Sequence, residues 1–518
     1  MAQIPITGVP STYRVPGQYA EILFAQGPST AAAPAREVIF VMPTLSSGGT
    51  WTAGTVYRVR NEQEAINGAG VGSPLHRAIR KFLRSNTSAK VWALPYAPSS
   101  GGAPVKAALT VTWTNAATAV GITSLWVAGD RIDVAIKSGD SVTTIATNAK
   151  NAVNARPWLP CVATNVAGVL TLTAQIAGAS QNAHIRVRAS IDAGITTTVA
   201  TQNASDVDSL GSGAATAGVD GTTTEATNFT NALANIASSR YYYIVTSLPD
   251  ATNLGTLKTH LATKSNPIPG LRSVGIAASV ASLSASITIA TGRNYERLAI
   301  TWQPNSEHTL EELAGNSAAV RHLREQLDSA FNFDFYAEPD WQIQGCYRDA
   351  DRPSGDDLND AILGGLTPIQ TTGSGGSYIV MSVNTRSKDS TGNNNDFRAA
   401  ETHRISVADE YTDLVLLRHA LQYKNKKLKE DELTSAGTVN HNQRLYRNVV
   451  TPSTYRPFIF SLIDEMGGSK FQDIDGMKAT LRVVIDNNNR GRLEVGHDIK
   501  VIDLLHQMTL RIAETTPG

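Results

Sequence analysis

Cysteine is almost absent from this sequence: there are two in 518 residues, Cys161 and Cys346. They are far apart and neither has a ligand-type neighbour. That excludes a disulfide scaffold and a cysteine-based metal framework, and it fits a chain folded in a reducing compartment. Long apolar runs are missing as well, with nothing approaching the roughly eighteen residues of a membrane span. The start, MAQIPITGVPSTYRVPGQY, lacks the basic segment and apolar core of a signal peptide. Charge is scarce, at 17% of residues against the usual roughly 25%. It is also balanced, 45 basic against 45 acidic, so no global field steers the chain toward nucleic acid or an acidic membrane. Two readings of this low charge stay open. Either much of the surface is covered by partners, or it is β-rich and polar without being charged.

What is present reads as about three domains, since a chain this long exceeds one ordinary core. The fold class expected is a mixed α+β and α/β multidomain chain. Prolines 5, 10 and 16 among Ile4, Ile6 and Val9 make residues 1–20 an extended arm that must lie on something else. An α/β core is expected from 21–97 plus 225–372, where buried strands (EVIFVMP, KVWALPY, RYYYIVTSLPD, RSVGIAAS, ERLAITWQP) alternate with helices. Residues 98–224 are rich in Ala, Thr, Val and Gly and contain no Phe or Tyr. Alternating runs such as LTVTW, DRIDVAI, GVLTLTA and HIRVRA make them an inserted, mostly antiparallel β domain with one helix over 141–155. The stretch 211–227 reads as its flexible exit linker.

The remainder, 373–518, reads as an α+β domain. Residues 376–387 and 397–407 are expected to form a hairpin, and 408–433 a long helix. A second hairpin is expected over 479–495, with Leu481, Val483 and Ile485 on one face opposite Leu493 and Val495. The last apolar element is QMTLRIA, where Met508, Leu510 and Ile512 alternate with polar residues to give a strand over about 506–513.

The search for chemistry finds little. NGAGVGSPLHRAIRKFL (67–83) has the look of a phosphate cradle, but its glycines follow a helical pattern rather than a strand. Gly72-Ser73-Pro74 stands where Gly-Lys-Thr would be needed, so Ser73 as cap and Pro74 as first helical residue explain the stretch. Ten histidines include no His-x-x-x-His pair. His403 and His419, beside arginines, are expected to be solvated. DRPSGDD (351–357) is a turn that caps a helix. No nucleophile elbow is present, so neither a catalytic site nor a cofactor nor a metal is expected. KNKKLKEDE (424–432) is the densest charge. Its Lys424, Lys426, Lys427 and Lys429 read either as a solvated helix end or as a docking surface for an acidic partner.

Taken in order, several stretches give the chain a family likeness along nearly its whole length. They are VPSTYRVPGQYAE, GVGSPLHRAIRKF with VWALP, YYYIVTSLPDATNLGTLKTHL, TGRNYERLAITWQPNS with ELAGNSAAV, VTPSTYRPFIFSLIDEM, and LRVVIDNNNRGRLEV. The chain resembles contractile phage tail sheath proteins of the Mu-like type, and residues 139–188 resemble the β-rich insert many of them carry. The resemblance implies a non-enzymatic subunit that stacks as six-membered rings around a tail tube. Its partners would be further copies of itself, the tube protein, and baseplate and tail terminator proteins, with no direct contact to nucleic acid or membrane. It also implies that the arm (Ile4, Ile6, Val9) and the last strand (Met508, Leu510, Ile512) are lent to neighbouring copies. They would pair beside the receiving hairpin of Leu481, Val483, Ile485, Leu493 and Val495. The C-terminal domain, with the four lysines, would face the tube. Location would be the virion tail, assembled in the bacterial cytoplasm. A tailocin or other contractile injection device is the alternative within that class, and a nucleotide-binding α/β enzyme the alternative outside it.

Overall fold

A computed structural model describes residues 36–183, 187–192, 199–201, 216–337, 341–345, 352–372, 376–389, 400–440 and 448–508. The first element, β1 (Val38–Pro43), is buried along its entire length, which is why VIFVMP shows no alternation. It is followed by β2 (Tyr57–Val59), α1 (Glu62–Ala69), α2 (Pro74–Ser85) and β3 (Val91–Tyr96). Asn61 and Ser73 cap the two helices, accepting from the N–H groups of Glu64 and His76.

The next stretch holds β4 (Ala108–Trp113), β5 (Gly121–Val127), β6 (Asp130–Ile136), α3 (Val142–Asn154), β7 (Cys161–Val166), β8 (Val169–Ala174), β9 (Val187–Ile191) and β10 (Val199–Thr201). These strands form two antiparallel sheets, ordered β10-β4-β8-β7 and β6-β5-β9. Period-two burial turns Ile132, Val134 and Ile136 of β6 inward, and α3 covers them with Ile145, Ala149 and Val153. The sequence reading misses β5 because its alternation is broken by buried polar residues. Thr123 Oγ1 donates to the Ser190 carbonyl, and Ser124 Oγ donates to Asp133 at 2.6 Å. The expected linker at 211–227 is corrected over its described part. Thr216, Val219 and Thr223 pair antiparallel with Ala108, Val105 and Ser100, so the chain enters and leaves this part through one two-stranded neck. A Cβ on Gly221 would lie 2.1 Å from the Gly101 carbonyl oxygen, so the neck closes only around glycine.

After the neck come α4 (Glu225–Asn235), β11 (Tyr243–Val245), α5 (Ala251–Ser265), β12 (Val274–Ser279), α6 (Leu283–Arg293), β13 (Leu298–Trp302), α7 (Leu310–Leu327), α8 (Gly355–Leu363), β14 (Thr367–Thr371) and β15 (Ser377–Ile379). One eight-stranded sheet takes strands from both sides of the β4–β10 stretch, in the order β15-β14-β13-β12-β11-β1-β3-β2. All its pairings are parallel except at the two edges, β2 and β15. Helices α2 and α7 cover one face, and α4, α5, α6 and α8 the other. Helix α7 is buried on every side from Leu310 to Val320. A Cβ on Gly315 would lie 2.6 Å from the Ala78 carbonyl, so α2 and α7 touch there backbone to backbone.

The last part holds α9 (Thr402–Gln422), β16 (Lys427–Leu428), β17 (Val449–Val450), α10 (Pro452–Met466), α11 (Ile474–Thr480), β18 (Arg482–Ile485) and β19 (Leu493–Gly496). Two expectations fail here. The strand expected to end at 407 is instead the head of α9, because His403, Ser406, Val407, Tyr411 and Leu414 are buried at helical spacing. The local alternation of THRISV imitates a strand over too few residues to decide. The helix expected to reach 433 stops at Gln422, where the chain turns and Asn425 takes the left-handed region at φ +64°.

Buried ions fasten both ends of the sheet. Past the carboxyl ends of its strands, Arg77 pairs with Glu311, both buried, and Glu312 meets His308 Nδ1 at 3.1 Å. Beside them Arg80 lies 4.6 Å over the Trp158 ring, and Trp158 Nε1 donates to Asp130 at 2.5 Å. At the amino ends, Asp409 of α9 accepts both Arg297 nitrogens at 2.7 and 2.8 Å and the Tyr242 hydroxyl at 3.1 Å. Asp413 binds Arg240 at 2.5 Å and also Arg272.

Candidate functional site

The glycine-rich turn is an inter-layer seat. Gly70 and Gly72 sit at φ +86° and +81°, and Pro74 through Arg77 are all buried. A Cβ on Gly72 would lie 2.2 Å from Gln175 Nε2 and 2.7 Å from the carbonyl oxygens of Pro157 and Leu159. Residues of the β4–β10 stretch therefore fill the space at the α2 N-terminus that a phosphate would need. His76 Nδ1 accepts from the Gly72 N–H at 3.1 Å, and burial, with Arg80 and Arg77 nearby, pushes its pKa down to about 4. A neutral ring suits that acceptor role. Gly72→Val adds both a clash and a strained φ, so it is expected to cost about 2–4 kcal/mol. Urea denaturation measures this, and ATP added to the wild type is expected to leave the midpoint unmoved.

Among the described residues no group of three or more His, Cys, Asp or Glu could hold a metal, and no helix is long and apolar enough to cross a membrane. Cys161 is buried in the β4–β10 core, and burial pushes its thiol up to about 12, so it is inert. Cys346 lies outside the described residues. The turn at 352–357 caps α8 through a reciprocal Ser354–Asp357 box. His403, expected to be solvated, is buried: its Nε2 faces the Ile502 carbonyl at 3.0 Å and its Nδ1 faces Glu401 at 3.1 Å. It sits on the inner face of α9 rather than on a strand. His419 is exposed, 2.9 Å from the Tyr455 hydroxyl.

Residues 482–496 fold as an antiparallel hairpin, with Val483 opposite Val495 and Ile485 opposite Leu493. These pairs share a face with Leu481. Leu481 and Val483 are buried among Ile459, Leu462, Ile463 and Met477, while Ile485 and Leu493 are half-buried and Val495 is 38% exposed. Asp486 Oδ1 shapes the turn by accepting the Asn488 and Asn489 N–H groups. Helices α10 and α11 back the hairpin, yet among the described residues neither outer edge has a partner strand. An unpaired edge on a packed hairpin is a template for another strand.

Of the residues expected to be lent, Ile4, Ile6, Val9, Leu510 and Ile512 lie outside the described residues. Met508 lies within them, 82% exposed and not in a strand. Lys424, Lys426, Lys427 and Lys429 are all exposed, with Lys424 on a turn, Lys427 on β16, which pairs with β17, and Lys426 and Lys429 flanking that strand, none of them within α9. Lys426 lies 4.6 Å over the Tyr423 ring, and Lys429 pairs with Glu432 at 2.6 Å, so the run is partly self-neutralised. Both ion clusters at the sheet ends went unforeseen. Their trace in the sequence is acid placed inside helices, such as Glu311 and Glu312 before AGNSAAV and Asp409 and Asp413 in α9.

No family model matches the chain. Over 182 residues, 35% of its length, it is 30% identical to the Mu-like prophage FluMu tail sheath protein of Haemophilus influenzae. A relative of this chain is a tail sheath protein. The matched stretch spans 36% of that relative, about a third. The crystal structure of a sheath tail protein from Desulfitobacterium hafniense is similar at a TM-score of 0.44 and 14% identity, over 94% of this chain and 100% of that one.

Proposed function

We propose that the chain is a structural subunit of a contractile tail sheath and has no catalytic activity. The 30% identity to a tail sheath protein carries the reading, and the open-edged hairpin of residues 482–496 fits it. In this reading the arm of residues 1–20 and a strand over 506–513 are lent to neighbouring copies. Each would extend the β18–β19 hairpin by main-chain hydrogen bonds, with side-chain pockets setting register. Head-to-tail lending does not close on itself, so it builds an open helical polymer, read as stacked rings of six. The division is an α/β core of 21–97 plus 225–372, an outward-facing insert of 98–224 and a tube-facing part of 373–518 that includes Lys424, Lys426, Lys427 and Lys429. The partners are the tube, baseplate and tail terminator proteins, in a virion tail assembled in the host cytoplasm.

The extended sheath is a kinetically trapped state, and contraction follows from rotation of near-rigid subunits into better contacts while the lent strands act as ties. That movement would drive the tube through the host envelope and deliver the genome without nucleotide. Deleting residues 1–20 or 506–518 is expected to leave folded monomers by circular dichroism and light scattering. The full chain is expected to give tubes or rings in negative-stain micrographs. Normal tubes from either truncation would refute the lending.

A further inference from the structure

Beyond Val501 the chain has no regular structure up to Met508, and Leu505 and Met508 are more than 80% exposed. It is nevertheless tied down at four points. The Ile502 N–H donates to the Lys470 carbonyl at 3.0 Å, its carbonyl faces His403 Nε2, and Asp503 pairs with Arg404. The outermost tie is His506, whose Nδ1 lies 2.6 Å from Asp334 and whose Nε2 lies 3.5 Å from Glu401. Both ring nitrogens thus face carboxylates, one from the loop after α7 and one from the head of α9. A neutral ring can donate to Asp334 alone, whereas an imidazolium, a donor at both nitrogens, answers both carboxylates. We propose that His506 is a proton-operated latch, which as imidazolium holds the root of the C-terminal segment to Asp334 and Glu401 and releases it on deprotonation.

The other charged groups around the ring agree with this assignment. Burial alone would lower the proton affinity of His506, but Asp334 and Glu401 outweigh it and hold the pKa above its usual value. His403 is buried with its Nδ1 3.1 Å from the same Glu401, and burial holds its pKa below the usual value. Arg404 pairs with Asp503 and also reaches Glu401 at 3.7 Å, so Glu401 is shared among Arg404, His403 and His506, and Asp334 is the nearer acid to His506. Because the folded pKa is raised, attachment is complete below the ordinary histidine value and is lost as pH rises through the folded one. The latch concerns contacts within one chain, so it stands whether or not residues 509–518 pair elsewhere.

Hydrogen exchange of the full-length, unassembled protein tests it, read as the protection factor of the Val501–Met508 peptide from pH 5.5 to 8.5. Protection is expected to fall at least about tenfold across that range. His506→Gln should give low protection at every pH, with the exchange of the β1 and β12 peptides unchanged as a control on folding. Asp334→Asn should move the wild-type midpoint to lower pH. A flat wild-type profile would overturn the latch, and so would a pH dependence that survives in His506→Gln, which would assign the titration to His403.

Discussion

Replacing Arg77 with alanine is expected to destabilise the protein by about 3–5 kcal/mol, the cost of leaving a buried partner charge unpaired. Arg77 is 2% exposed and Glu311 is fully buried, so no water can take over when the guanidinium is removed. Burial of this group is costly even in the native chain, and it pushes the Arg77 pKa down to about 10. Glu312 is pulled both ways. Burial would raise it, but the His308 hydrogen bond and the charges of Lys81, His308 and Arg77 outweigh that and hold it at about 2. A carboxylate with a depressed folded pKa contributes stability above its unfolded value of about 4.5, and that contribution is lost as pH falls toward 2. Urea midpoints measured between pH 7 and pH 2.5 should therefore drop steeply for the wild type and less for Arg77→Ala. The double variant Arg77→Met, Glu311→Leu removes both charges and should recover much of the loss. A single variant as stable as the wild type would mean that water reaches the pair.

The Asp409→Ala variant is expected to lose a similar amount, but in one region. Asp409 gathers Arg297, Arg272 and Tyr242, which immediately precede or lie just before β13, β12 and β11, onto one buried carboxylate of α9. Removing it leaves two guanidinium groups and a phenol without their shared acceptor. The sheet does not need α9 to close its own two hydrophobic faces, since α2, α7 and the opposite helices do that. Hydrogen exchange should therefore rise in α9, α10 and the 482–496 hairpin by two orders of magnitude or so while β1 and β12 stay protected. Uniform deprotection of the entire chain would show instead that α9 is part of one cooperative core.

Much of the architecture was readable because its signals are local. Pro74 after Ser73 and the unbroken apolar run of β1 each follow from nearest-neighbour physics. What escaped the sequence depends on distant partners. The polar centre of β5 makes sense only with Ser190 and Asp133 beside it. The neck segment at 216–223 looks like a linker until its bridges to residues 100–108 are seen. His403 looked solvent-facing from its arginine neighbour and is buried because the chain returns at Ile502 to cover it. The family likeness pointed to a use for the hairpin, whereas the ion pairs that hold α9 to the sheet and the Arg80–Trp158 contact lie in pairings no spacing rule describes.

The sheet also fixes how the molecule carries force. The two-stranded neck leaves beyond the carboxyl ends of the parallel strands, and α9 is bolted across their amino ends. Tension between those attachments runs along the strands and loads the ladder in shear, so its hydrogen bonds resist together instead of unzipping singly. A pull across the sheet would meet them one at a time, so the molecule is expected to resist more force along the strands than across them.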